Sequence, residues 1–69
     1  MVKLQDLSEK LTRRELQVFY LILANYKTSE IIKELNISLN TVRTYYKHIY
    51  QKMFVNSKKE LIKKFKKEV

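Results

Sequence analysis

Residues 31–53 read IIKELNISLNTVRTYYKHIYQKM, two short amphipathic segments separated by a turn of three to four residues. The first segment offers Ile31, Ile32 and Leu35 at helical spacing, Asn36 and Ile37 fall in the turn, and Ser38 stands where an N-cap would open a longer helix. In that longer helix Val42, Tyr46, Ile49 and Met53 recur three or four positions apart and define an apolar face. Asn40, Arg43, Thr44, Lys47 and Gln51 share a second face, and each can donate to a base edge or a phosphate. A helix-turn-helix with such a face fits the major groove of DNA.

The charge pattern points the same way. The chain has 69 residues and a net charge of +8. Residues 1–42 hold six Lys/Arg against five Asp/Glu, a net +1, whereas residues 43–69 hold nine against two, a net +7. A field concentrated in this way raises the local concentration of polyanions and makes affinity salt-dependent through counterion release, so nucleic acid is the leading partner. A domain this small hides only about 60% of the surface its unfolded chain exposes. Cysteine is absent, so no disulfide or thiolate-bound zinc reinforces the core, and a second helical chain is the remaining common stabiliser. A homodimer is expected. No apolar run reaches membrane-spanning length and the opening MVKLQDLSEK does not match a secretory signal, so the expected location is the cytoplasm, away from any membrane.

The rest of the chain reads as one all-α domain, with no glycine, proline or repeat to divide it. Thr12 and Glu15 fit a capping box and Leu11 and Leu16 a hydrophobic staple, which open a scaffold helix over about 13–25. Leu16 and the run from Val18 through Ala24 make it apolar almost all round, which predicts a helix surrounded by the others. Further helices are predicted over about 28–35, 39–54 and 58–68, the last opened by a Ser57 and Glu60 capping box. With no glycine present, Asn25, Asn36 and Asn56 are the expected left-handed stops between them. Val2, Leu4 and Leu7 are expected in a short helix or tail over 1–10, ahead of the domain proper at 11–69.

These residues resemble the LuxR/GerE-type helix-turn-helix domain of bacterial transcription regulators, also found at the end of NarL-like response regulators. The likeness covers about fifty residues without a gap. It runs through Leu11, Thr12, Arg14, Glu15, Val18, Leu21, Ala24, the Glu30-Ile31 pair, Leu35, Ile37-Ser38, Thr41-Val42-Arg43, Ile49 and Lys52, and continues from Val55 to Glu60-Leu61. Because little else is present, the chain resembles the small stand-alone members typified by GerE. The fourth region of sigma factors is a near neighbour, but the continuation to Leu61 favours the LuxR/GerE likeness. The resemblance implies a four-helix fold in which the third helix enters the groove. Arg43, Thr44 and Lys47 would then face bases, while Asn40, Thr41, Thr28 and Ser29 would meet phosphates. It also makes the fourth helix the dimer contact, and assigns Leu61, Ile62 and Phe65 either to that interface or to packing on the scaffold helix. RNA polymerase or another regulator is a further partner it allows.

The sequence departs from the family pattern at several places. Asn25, Asn36 and Phe54 stand where glycine is usual, Ile32 where alanine is, and Tyr45 where histidine is common. Lys27 replaces a capping Ser or Thr, so capping of the second helix passes to Thr28 or is lost.

Other chemistries lack the residues they need. Tyr45, Tyr46 and Tyr50 would suit stacking on unpaired bases, but Tyr46 and Tyr50 lie among Val42, Ile49 and Met53 and are read as packing residues. His48 has no companions for a metal or catalytic role and is read as a half-exposed structural residue. No nucleophile has an identifiable base and no glycine loop cradles a phosphate, so no enzyme activity, metal or cofactor is expected. Two other readings use the same surfaces. One is an interaction module that heterodimerises with a larger regulator; the other is a basic amphipathic C-terminal helix that binds anionic membrane.

Overall fold

The computed structural model describes residues 10–66, so the segment holding Val2, Leu4 and Leu7 lies outside the described residues. Among the described residues four helices follow in order: α1 (Arg13–Leu23), α2 (Thr28–Leu35), α3 (Leu39–Met53) and α4 (Lys58–Lys66). The all-α, four-helix architecture is the one the sequence predicts.

Each helix start has a local cause. At α1 the Glu15 amide donates to Thr12 Oγ1 at 3.2 Å and the Thr12 amide returns the bond to Glu15 Oε1 at 3.0 Å, a complete capping box. At α3 the Thr41 amide donates to Ser38 Oγ, and at α4 the Glu60 amide donates to Ser57 Oγ. The start of α2 keeps only half of this device. Lys27 has no side-chain acceptor to offer, but its own amide donates to Glu30 Oε1 at 2.7 Å. Glu30 therefore fixes the chain entry although the usual Ser or Thr is gone.

The ends of α1, α2 and α3 close in one way. A residue with positive φ follows the last turn, and the next amide reaches back five residues: Tyr26 to Leu21 O, Ile37 to Ile32 O and Val55 to Tyr50 O. The left-handed residues are Asn25, Asn36 and Phe54. The first two are as expected, but Asn56 is not the third, because α3 stops at Met53 and the next residue must turn whatever its type. The scaffold helix likewise stops at Leu23, short of the predicted Asn25, since Asn25 itself makes the turn.

The core gathers Val18, Phe19 and Ile22 from α1, Ile31 from α2, Val42, Ile49 and Met53 from α3, and Leu61 from α4, joined by Leu11 and Val55. α1 packs on α3 and α4, while α2 packs on α3. Burial of α1 is one-sided rather than all round: Tyr20 is 43% exposed and Ala24 is exposed. Among the described residues only α3 and α4 pack closely on α1, and they leave its Tyr20 side uncovered.

Candidate nucleic-acid interface

The core residues Val42, Ile49 and Met53 pin α3 by one face, so the opposite face is held outward. Asn40, Arg43, Thr44, Lys47 and Gln51 are all exposed on it, as the sequence predicts. Arg43 carries a planar fork suited to the O6 and N7 acceptors of guanine, and Lys47 lies one turn further along. The Thr44 hydroxyl donates its proton to the Asn40 carbonyl at 3.0 Å. Its outward chemistry is therefore a methyl group and oxygen lone pairs, which suit a thymine methyl or an amino group and not a phosphate. Leu39, 43% exposed at the first position of α3 and four residues before Arg43, adds an apolar surface beside that arginine.

The proposed phosphate-facing residues divide into two places. Asn40 and Thr41 lie in the first turn of α3, where Thr41 Oγ1 is 2.9 Å from Ser38 Oγ. Thr28 and Ser29 occupy the first two positions of α2, whose amides have no partner within the helix. The Tyr46 hydroxyl lies 3.0 Å from Thr28 Oγ1 and ties this helix start to the middle of α3. Glu30 places a carboxylate in the same turn, and its bond to the Lys27 amide draws that charge toward the entry of the helix.

The tyrosines do not form a stacking platform for unpaired bases. Tyr45, Tyr46 and Tyr50 are half-buried against the core, and the Tyr46 and Tyr50 rings stack on each other, centroids 5.8 Å apart. Burial, with Tyr46 alongside, pushes the Tyr50 hydroxyl up to about 12, so it is a neutral phenol at physiological pH.

The orientation of α3 has a second anchor that sequence spacing does not reveal. Glu15, 4% exposed, accepts Lys52 Nζ at 2.7 Å on Oε1 and has His48 Nδ1 3.4 Å from Oε2. Burial alone would raise this carboxyl, but the bonds from Lys52 and the Thr12 amide, with the charges of Lys52 and His48, hold it below the usual glutamate range. The start of α1 thereby grips the second half of the helix that presents Arg43 and Lys47.

On α4, the three apolar residues have different surroundings. Leu61 is fully buried inside the chain and has no surface to offer a partner. Phe65 sets its ring edge-on to Phe19 at 5.2 Å, and it and Ile62 keep part of their surface. Two of the lysines are engaged locally, Lys58 Nζ with Tyr26 O at 2.7 Å and Lys64 Nζ with Met53 O at 2.8 Å, while Lys59 and Lys63 are exposed.

Two helices joined by a tight turn, the second pinned by its apolar face and presenting a cationic, donor-rich one, define a helix-turn-helix DNA-binding domain. Residues 9–65 match the profile of the bacterial regulatory proteins of the luxR family. The chain belongs to that family, which consists of DNA-binding transcription regulators and not of enzymes. It is similar to the HTH-type transcriptional regulator MalT of Vibrio campbellii, Vibrio parahaemolyticus and Yersinia pestis. In each case 36% of 52 residues are identical, covering 75% of this chain and 6% of the relative, so the chain spans a small fraction of those proteins. No solved structure matches it. Among the described residues no helix is long and apolar enough to cross a membrane.

Proposed function

We propose that this chain is a sequence-specific regulator of transcription that binds double-stranded DNA as a homodimer on a pseudo-palindromic site in the cytoplasm. The observation that carries this reading is the row Asn40, Arg43, Thr44, Lys47 and Gln51, exposed on a helix whose opposite face is fixed by the core. Arg43, Thr44 and Lys47 read bases, while Thr28, Ser29, Asn40 and Thr41 meet the flanking phosphates. The half-exposed Ile62 and Phe65 are the apolar surface available to a second copy. Two recognition helices would then read half-sites with centres roughly 34–36 Å apart. Selection of duplexes from a random pool tests this, an enriched inverted repeat being the expected product.

One observation favours a second reading, heterodimerisation with a larger regulator. Lys59 and Lys63 are exposed within one turn of Ile62, so a symmetric contact centred there sets like charges against each other, whereas an acidic partner would attract them. Size-exclusion chromatography with and without DNA separates the two, since an obligate heterodimer stays monomeric in both.

A further inference from the structure

The geometry points to His48 as a further contact to the DNA backbone, one that takes up a proton when DNA binds; this rests on the DNA-binding reading above. His48 follows Lys47 on α3 and lies one turn beyond Thr44, at the border of the base-facing row. Side chains at such a border meet the phosphates that line the groove when the helix lies within it. The imidazole is half-exposed, its side chain 48% accessible, and its Nδ1 faces the buried Glu15 carboxylate at 3.4 Å.

This contact fixes what the other ring nitrogen presents. A carboxylate accepts and cannot donate, so at 3.4 Å, without a hydrogen bond between them, it favours the tautomer that carries the proton on Nδ1. With Nδ1 turned toward Glu15, Nε2 points away from the core. In the neutral ring that Nε2 carries a lone pair, which a phosphate oxygen repels. In the imidazolium it carries an N–H, which a phosphate accepts as a charge-assisted bond. Only the protonated ring binds, so a phosphate at this position and a proton on Nε2 favour each other.

The surrounding charges set the balance. Glu15 is the charged group facing His48 from α1, and it favours the proton. On its own helix Lys47 is adjacent, and Lys52 shares the Glu15 carboxylate; both oppose the proton. A DNA phosphate adds a second negative charge on the side where Glu15 does not reach, and tips the competition toward the imidazolium. His48 is the one histidine of the chain, so exchanging it removes every imidazole.

The test is the affinity of the full chain for a labelled random-sequence duplex between pH 6 and 7.5 at fixed ionic strength, beside His48→Gln. A phosphate contact needs no particular sequence, so the random duplex is a sufficient probe. For the unmodified chain, affinity should rise as pH falls, by at most about tenfold per unit for each copy that binds, because one proton is linked per copy. His48→Gln keeps an amide donor that does not titrate, and its affinity should be flat with pH while its melting temperature at pH 7.5 stays close to that of the parent. Equal pH slopes in the two proteins would overturn the inference and leave the DNA-binding reading intact. Failure of both proteins to bind duplex DNA at any pH would overturn the two together.

Discussion

Lys52 Nζ lies 2.7 Å from Glu15 Oε1 and joins residues 37 positions apart, one at the start of the scaffold helix and one near the end of the recognition helix. The carboxylate also completes the α1 capping box, so one buried group serves helix initiation and helix orientation together. Its carboxyl is held below the glutamate range, so it contributes stability that is present above the unfolded-state value and is lost as pH falls through the folded one. Glu15→Gln should lower stability near neutral pH by about 1 kcal/mol, a modest figure because Lys52 is partly exposed and solvent screens the pair. The gap between the two proteins should narrow as pH falls from about 5 to about 3. Thermal melts across that range check both the magnitude and the sign.

Phe54 combines two unfavourable features, a left-handed backbone with φ 59 and a ring 81% exposed. Its compensation is small: Lys64 Nζ stands 5.9 Å from the ring centroid in the open. Phe54→Gly removes the steric penalty of the left-handed conformation and should stabilise the fold by about 1 kcal/mol. Urea denaturation of the two proteins measures it; a loss of stability would show that the aromatic ring contributes more than the backbone strain.

The same position marks where the sequence was legible and where it was not. Helix starts were readable because Thr12, Ser38 and Ser57 carry the capping chemistry in their own side chains. The stops at Asn25 and Asn36 were readable because asparagine tolerates positive φ. Phe54 has no such preference; the signal for it lay in its neighbour, since an apolar residue follows each left-handed stop, as Tyr26, Ile37 and Val55 do. The outward row on α3 followed from helical periodicity alone. The Glu15 anchor to Lys52 and His48 did not, because a contact between segments so far apart leaves no trace in local spacing.

The three apolar residues of α4 should separate on mutation. Leu61 is fully buried, so Leu61→Ala should cost about 2–5 kcal/mol of folding stability. Ile62→Ala, at a half-exposed position, should leave the fold largely intact and weaken self-association on DNA. Chemical denaturation paired with analytical ultracentrifugation on a two-half-site duplex distinguishes the two effects.

Arg43 and Lys47 should differ in the kind of loss they produce. Arg43→Ala should cost about 1–3 kcal/mol at the selected site and relax preference there, with little change on random DNA. Lys47, a point charge without the arginine fork, should relax preference less on Lys47→Ala, and its loss should also weaken binding to all sequences and reduce the salt slope by about 1. Salt titrations of both variants on selected and random duplexes check this.

The most direct test of the account is fluorescence anisotropy of the chain with a selected duplex and a scrambled one, titrated from low to physiological salt. A sequence-reading regulator retains tight binding to the selected duplex at physiological salt while the scrambled one is released. Equal affinities that vanish together as salt rises would contradict it, and would leave the α3 row as a basic surface with no sequence to read.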